Sequence, residues 1–113
     1  MSVSIVAVPD VIRSIAFGSI TNAYQTLGTP SSQAIRMFRL INPTDGDMLF
    51  SIDGTNDNFY VPANSFVLYD LTANREKNGE LFVFPNKTQF FVKYATAPSK
   101  NGVYLEIIYA RGQ

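Results

Sequence analysis

The sequence predicts an all-β chain: a single antiparallel β-sandwich or jelly-roll-like domain with seven or eight strands spanning residues 1–113. Three observations predict it. Turn signals recur every several residues, among them Pro9-Asp10, Pro43-Thr44-Asp45-Gly46, Asp53-Gly54, Asn78-Gly79, Pro85-Asn86 and Asn101-Gly102. The runs between them are short, apolar and alternating, and helical periodicity is poor throughout. The length of 113 residues suits one core with a radius of gyration near ~13 Å, and hydrophobic residues make up 46% of the chain.

The elements follow in order. Residues 3–8 form either a first strand or an extended arm, residues 1–10 being the part that reaches a neighbour in the second case. Residues 12–17 are the next strand. The gap from 25 to 39 is broken as a helix by Gly28 and Pro30. Residues 35–42 (IRMFRLIN) alternate Arg36, Phe38 and Leu40 against Ile35, Met37, Arg39 and Ile41, and neither face is cleanly polar. The turn at Pro43–Gly46 returns the chain through residues 48–53, and the two runs are expected to pair as a hairpin. Short strands follow at 58–61, ended by Pro62, and at 65–71, where Phe66 and Leu68 oppose Val67, Tyr69 and Leu71. Residues 72–80 are the most polar stretch and read as a loop. Strands at 81–84, 89–95 and 103–109 complete the set, the last with Val103, Leu105, Ile107 and Tyr109 on one face. Phe38, Phe50, Phe66 and Phe90 are the core candidates.

Composition removes many chemistries. The chain has no His and no Cys, so there is no disulfide framework, thiolate nucleophile, Ser-His-Asp relay or ordinary zinc site. Nine Lys and Arg balance nine Asp and Glu, and a neutral chain lacks the basic stripe that grips nucleic acid. No apolar run approaches the ~20 residues that cross a bilayer. The apolar N-terminal stretch lacks a basic residue before Arg13 and is cut by Pro9-Asp10, so it reads as mature structure and not as a signal peptide. No membrane partner is expected.

Carboxylates are the acid–base groups left for chemistry near neutral pH. Asp45 and Asp47 flank one turn, Asp53 and Asp57 the next, and paired carboxylates serve glycoside hydrolysis. Turns also favour Asp for the hydrogen bonds it makes to nearby backbone, and that plainer account is preferred. The same loops offer oxygen donors for calcium, but residues 53–57 (DGTND) depart from EF-hand spacing and lack the closing Glu. No enzyme activity, metal or cofactor is expected.

Nine Phe and six Tyr are a heavy aromatic load. Most belong in a core, since aromatic side chains suit pleated surfaces. Apolar residues on both faces of one strand mean either double coverage within the fold or a subunit interface, and the interface is the preferred reading. Val3, Ile5, Val8, Phe59, Tyr60, Tyr69, Phe91 and Tyr104 are the candidate interface residues. Exposed Tyr beside Asn and Asp also suits a carbohydrate-binding module, the second functional reading.

Several segments together carry a resemblance: 13–20 (RSIAFGSI), 27–30 (LGTP), 38–42 (FRLIN), 53–57 (DGTND), 61–63 (VPA), 69–74 (YDLTAN), 88–93 (TQFFVK) and 103–109 (VYLEIIY). In this order they resemble small virion structural proteins of tailed bacteriophages, the capsid cement or decoration, head–tail and tail-associated subunits. The resemblance implies a β-sandwich or jelly-roll subunit made in the host cytoplasm and carried in the virion. It further implies assembly in many copies, with itself as a homo-oligomer and with other virion proteins such as the major capsid protein, and carries over no catalytic residue.

Overall fold

The structure, a computed structural model, describes residues 5–71 and 84–112. Among the described residues nine strands form: β1 (Ile5–Pro9), β2 (Arg13–Ala16), β3 (Gln25–Thr26), β4 (Ile35–Asn42), β5 (Met48–Ser51), β6 (Phe59–Val61), β7 (Ser65–Asp70), β8 (Phe91–Tyr94) and β9 (Gly102–Gly112), with one 3-10 turn at Phe17–Ser19. Two antiparallel sheets face each other. One runs β1-β9-β4-β7, with β2 also on β9, and the other runs β3-β8-β5-β6.

The pairings β2 with β9, β3 with β8, β4 with β7 and β5 with β6 are nested, one inside the next. A nested antiparallel ribbon wound into two sheets of four is a jelly roll. β1 is added to it, pairing with the far half of β9 from Ile5↔Gly112 to Pro9↔Ile108. Within the predicted N-terminal segment 1–10, Ile5–Pro9 thus form a first strand, and residues 1–4 lie outside the described residues. β4 stops at Ile35↔Tyr109, so the outer part of the β1–β9 ladder runs on as a two-stranded ribbon. The molecule is accordingly elongated, 54 × 23 × 22 Å with a radius of gyration of 15.1 Å, more than a compact chain of this length requires.

The strand count exceeds the predicted seven or eight because of β3. Its two residues lie in the gap that lacks periodicity, where Leu27 N–H donates to Phe90 O and Ser31 exchanges backbone bonds with Lys87 and Thr88. Of the predicted strand at 81–84, Phe84 is described and bridges Ile35; the rest, with the polar loop before it, lies outside the described residues.

The expected hairpin of β4 with β5 does not form. β4 pairs with β7 and β9, β5 with β6 and β8, so the chain changes sheets at Pro43–Asp47. Fully buried Asn42 accounts for it. Its amide nitrogen donates to Gly46 O (2.8 Å), Val61 O (3.0 Å) and Pro62 O (3.1 Å), and its Oδ1 accepts from the Thr44 backbone and hydroxyl. One side chain therefore closes the corner after β4 and ties it to the corner between β6 and β7. Gly46 sits so close to the 96–98 segment that an added Cβ would meet Thr96 O at 2.2 Å.

The core holds Phe38, Phe50 and Phe90 as predicted, with Leu27, Ile35, Leu40, Met48, Val92, Leu105 and Ile107. Phe38 is its hub, stacked on Tyr69 at 5.1 Å and meeting Phe59, Phe84 and Phe90 within 5.6 Å. Ile35 and Phe38 both point inward, against simple alternation, because the register slips between Ile35 and Met37 and Arg36 is the extra residue. Phe66 is a correction: it lies on the outer face, 58% exposed. Alternation separates Phe66 from Val67 but cannot say which side is inside when both are apolar.

A second buried polar clasp joins the N-terminal strands to the loop before β4. Arg13 is buried, and its guanidinium donates to Thr29 O (2.6 Å), Val11 O (2.9 Å), Pro30 O (2.8 Å) and Asp10 Oδ2 (3.3 Å). Gly28, at φ +68°, lies against the Arg13 side chain, which a Cβ would meet at 2.7 Å.

Replacing Asn42 tests the corner. Asn42→Leu strands three carbonyls and an amide, and Asn42→Asp keeps the shape while losing the donors. We expect each to lower unfolding free energy by at least ~3 kcal/mol in urea titrations. A loss below ~1 kcal/mol for both would remove Asn42 from this role.

Candidate functional site

The outer face of the five-stranded sheet is the candidate site. Register alone builds it in three rows across β7, β4 and β9: Phe66–Ile41–Tyr104, Leu68–Arg39–Glu106 and Asp70–Met37–Ile108. Cross-strand neighbours in such rows touch. Phe66, Leu68 (54% exposed) and Tyr104 (40%) are open to solvent, with Met37, Ile41 and Ile108 half-buried beside them. The loop joining β1 to β2 adds Ile12 at the β9 side.

The ion pair of Arg39 with Glu106 stands in the middle of this largely apolar field, with Asp70 in the next row. Arg39 reaches Glu106 Oε1 twice, through Nε at 2.7 Å and through a terminal nitrogen at 2.5 Å. The guanidinium also lies 5.5 Å from the centre of the Phe66 ring, which holds that exposed ring in place. Beside the pair is a depression of about 260 Å³ lined by Met37, Phe38, Leu68 and Ile108, and a second of about 270 Å³ lies between Ile12 and Ile108. Apolar, uneven and centred on a fixed polar contact, the face has the make-up of a protein-binding surface.

The predicted interface residues do not share one patch. Tyr104 lies on this face. Tyr60 and Phe91 lie on the outer face of the other sheet, Tyr60 paired with Leu49 and Phe91 with Ser51. Phe59 and Tyr69 turn toward the core, packing on Phe38 and on each other at 5.2 Å. Val8 is half-buried in β1 opposite Tyr109, Ile5 begins that strand, and Val3 lies outside the described residues. Phe66 and Leu68 were missed as surface residues because their strand alternates apolar with apolar, and Ile12 because it lies in the loop just before β2 and not in the strand expected at 12–17.

The carboxylates act in turns. Asp53 accepts from the Asn56 amide, the Ser51 hydroxyl and the Thr55 amide, bonds that hold it well below the usual carboxylate range. Ser99, through its hydroxyl and its amide, does the same for Asp45. Asp47 takes the Ala63 amide at 2.9 Å. Asp57 accepts the Tyr24 hydroxyl and pairs with Lys93 at 3.3 Å, while the Lys93 ammonium lies 4.7 Å from the Tyr24 ring centre. The Tyr24 bond and Lys93 together lower Asp57 against its partial desolvation. For Tyr24, burial and then the Asp57 bond push the phenol well above its ordinary value. Asp10 is raised by burial, but the Ser32 and Val11 bonds and Arg13 outweigh that and leave it lowered. Among the described residues, no group of three or more His, Cys, Asp or Glu is placed to hold a metal ion, and no helix is long and apolar enough to cross a membrane.

Two predictions follow from this geometry. Phe66→Ser and Leu68→Ser should change unfolding free energy by no more than ~0.5 kcal/mol, whereas Phe38→Ala should cost ~3–5 kcal/mol in the same urea series. A cost for Leu68→Ser comparable to that for Phe38→Ala would make this face part of the core. The second concerns pH. Asp10, Asp45, Asp53 and Asp57 have folded pKa values below their unfolded ones, so the folded state binds fewer protons in acid. Their stabilisation is complete above the unfolded value of ~3.9 and is lost as pH falls through the folded values. With no His to titrate, the urea midpoint should be level between about pH 5 and pH 8 and fall steadily below about pH 4. A midpoint that rises on acidification would contradict the sign.

Comparison with known protein families, with curated proteins and with solved structures finds no match for this chain.

Proposed function

We propose that this chain is a non-enzymatic structural subunit of a bacteriophage particle, a capsid cement or decoration protein that works by packing its five-stranded sheet against neighbouring protein. The carrying observation is the outer face of that sheet, where Phe66, Leu68, Tyr104 and Ile108 surround the fixed Arg39–Glu106 ion pair. A soluble monomer gains nothing in folding from such a face, and closing it against a partner gains roughly 25 cal/mol for each Å² of apolar surface removed from water.

Two further features support the reading. The jelly roll is an architecture used by viral capsid domains, although it also serves lectins and cupins, so this support is by analogy. The carboxylates that would be needed for hydrolysis are engaged in shaping turns. The resemblance of the sequence to small phage virion proteins supplies the setting: synthesis in the host cytoplasm, residence in the virion and the major capsid protein as a neighbour. A head–tail or tail location uses the same face with a different neighbour.

Quantitative mass spectrometry of purified particles from the phage that encodes the chain tests this. The chain should be present in many copies per particle, and Leu68→Asp, folded by circular dichroism, should lower its occupancy by roughly tenfold or more, the effect of a lost anchor at an interface centre. Absence from the particle, or full occupancy by the variant, would overturn the proposal.

A further inference from the structure

If the outer sheet face is the working surface, its occupant remains to be named, and we propose that it is the same face of a second copy, paired about a two-fold axis beside Arg39 and Glu106. The inference rests on the reading of this face given above and adds the partner.

The ion pair carries the argument. Both contacts from Arg39 end on Glu106 Oε1, through Nε and one terminal nitrogen. The other terminal nitrogen of Arg39 and Oε2 of Glu106 have no hydrogen-bond partner among the described residues. Both side chains are a little over one-third exposed, so water serves these groups while the face is open. Any protein that closes the face removes that water, and a desolvated ion pair is unfavourable unless its remaining donors and acceptors are met. The occupant must therefore bring an acceptor to Arg39 and a donor to Glu106 at matching spacing, within an apolar surround. A second copy rotated by 180° brings both, because an isologous contact sets residue i against j and j against i. The four charges then alternate in sign around the axis.

The surroundings agree. Leu68 projects next to the depression lined by Met37 and Ile108, so each copy offers an apolar knob and a hollow of about 260 Å³. The chain has zero formal net charge, so copies do not repel one another at long range. Four strand positions at ~4.8 Å spacing, over the length of β4, give roughly 440 Å² of projected area per copy. The total is near the ~1,000 Å² floor for a specific interface, which makes the pair weak and dependent on concentration.

Sedimentation velocity on the full chain from about 1 µM to about 1 mM, spanning weak protein association, reads the pairing directly. A monomer–dimer equilibrium is expected. Arg39→Glu alone and Glu106→Arg alone should each weaken the dimer roughly tenfold or more, since each homodimer then juxtaposes like charges. An equimolar mixture of the two variants should restore dimer to within about threefold of the unmodified chain, because each supplies what the other lacks. Leu68→Asp, which leaves the ion pair intact, should also weaken the dimer. A chain that stays monomeric throughout, or a mixture no tighter than either variant alone, would overturn the pairing. The two readings separate cleanly. A monomeric chain whose Leu68→Asp variant is lost from particles overturns the pairing and keeps the structural role. A dimer that behaves as expected while the chain is absent from particles does the reverse.

Discussion

The carboxamide of Asn42 is the interaction on which the rest of the molecule depends. A jelly roll forces its chain to leave one sheet and join the other repeatedly, and each crossing takes backbone groups out of the ladders that satisfied them. Asn42 meets that demand at two crossings at once, bonding Gly46 O after β4 and Val61 O and Pro62 O before β7. A third crossing fastens to the same corner. Asp47 O accepts the Ala95 and Thr96 amides, its carboxylate accepts the Ala63 amide, and Asp45 receives Ser99. The innermost hairpin, β5 with β6, thus hangs from one buried polar cluster, and the flat approach of Gly46 to Thr96 leaves no room for a larger residue. Apolar packing stabilises both sheets but does not fix where the chain turns between them. The polar corner does.

Arg13 solves the corresponding problem where β3 gives way to β4. Carbonyls of Val11, Thr29 and Pro30 converge on one guanidinium, and Asp10 sits beside it to offset the charge. Only a planar, multiply donating cation meets several carbonyls from two segments at once. The irregular stretch after Leu27 owes its course to this clasp and to Ser31, whose backbone and hydroxyl bond Lys87 and Thr88.

These two clasps also mark where the sequence stops being legible. Alternation placed β5 and β9, and it put Val103, Leu105 and Ile107 together on the buried side; in β7, apolar on both faces, it found the strand but not its inner side. The turn Pro43–Gly46 was equally visible, but turn chemistry reports only that a chain bends, not whether it stays in its sheet. What decides is a three-dimensional coincidence of Asn42 with carbonyls some twenty positions away, and no local pattern encodes it. Arg13 is hidden for a related reason: a charge in a short strand reads as an edge residue until its acceptors are known. The slip at Arg36 rotates Ile35 to the same side as Phe38, a single extra residue that periodicity averages away.

The outer face was half legible. Both faces of β4 read as apolar, which implied a second burying surface beyond the core, yet alternation assigned Phe66 to the wrong one. The reason lies in the physics of a sheet with two dry sides. Folding needs one apolar face to meet the opposing sheet, and Phe38, Leu40, Leu105 and Ile107 fill that need. Phe66, Ile41, Tyr104 and Ile108 are surplus to it. The outer surface of the other sheet is mixed: Tyr60, Leu49 and Phe91 lie on it, but so does Lys93, paired with Asp57 beside Tyr24 and the Asp53 turn, groups that water serves well. The two outer sides of the sandwich therefore differ in degree, the five-stranded one being the more apolar. An apolar outer face does nothing for the interior, and on the proposed reading its composition answers to a surface outside the fold. On the proposed reading the five-stranded sheet faces that neighbour and the four-stranded sheet faces solvent, an orientation set by which sheet had to keep its outer residues apolar.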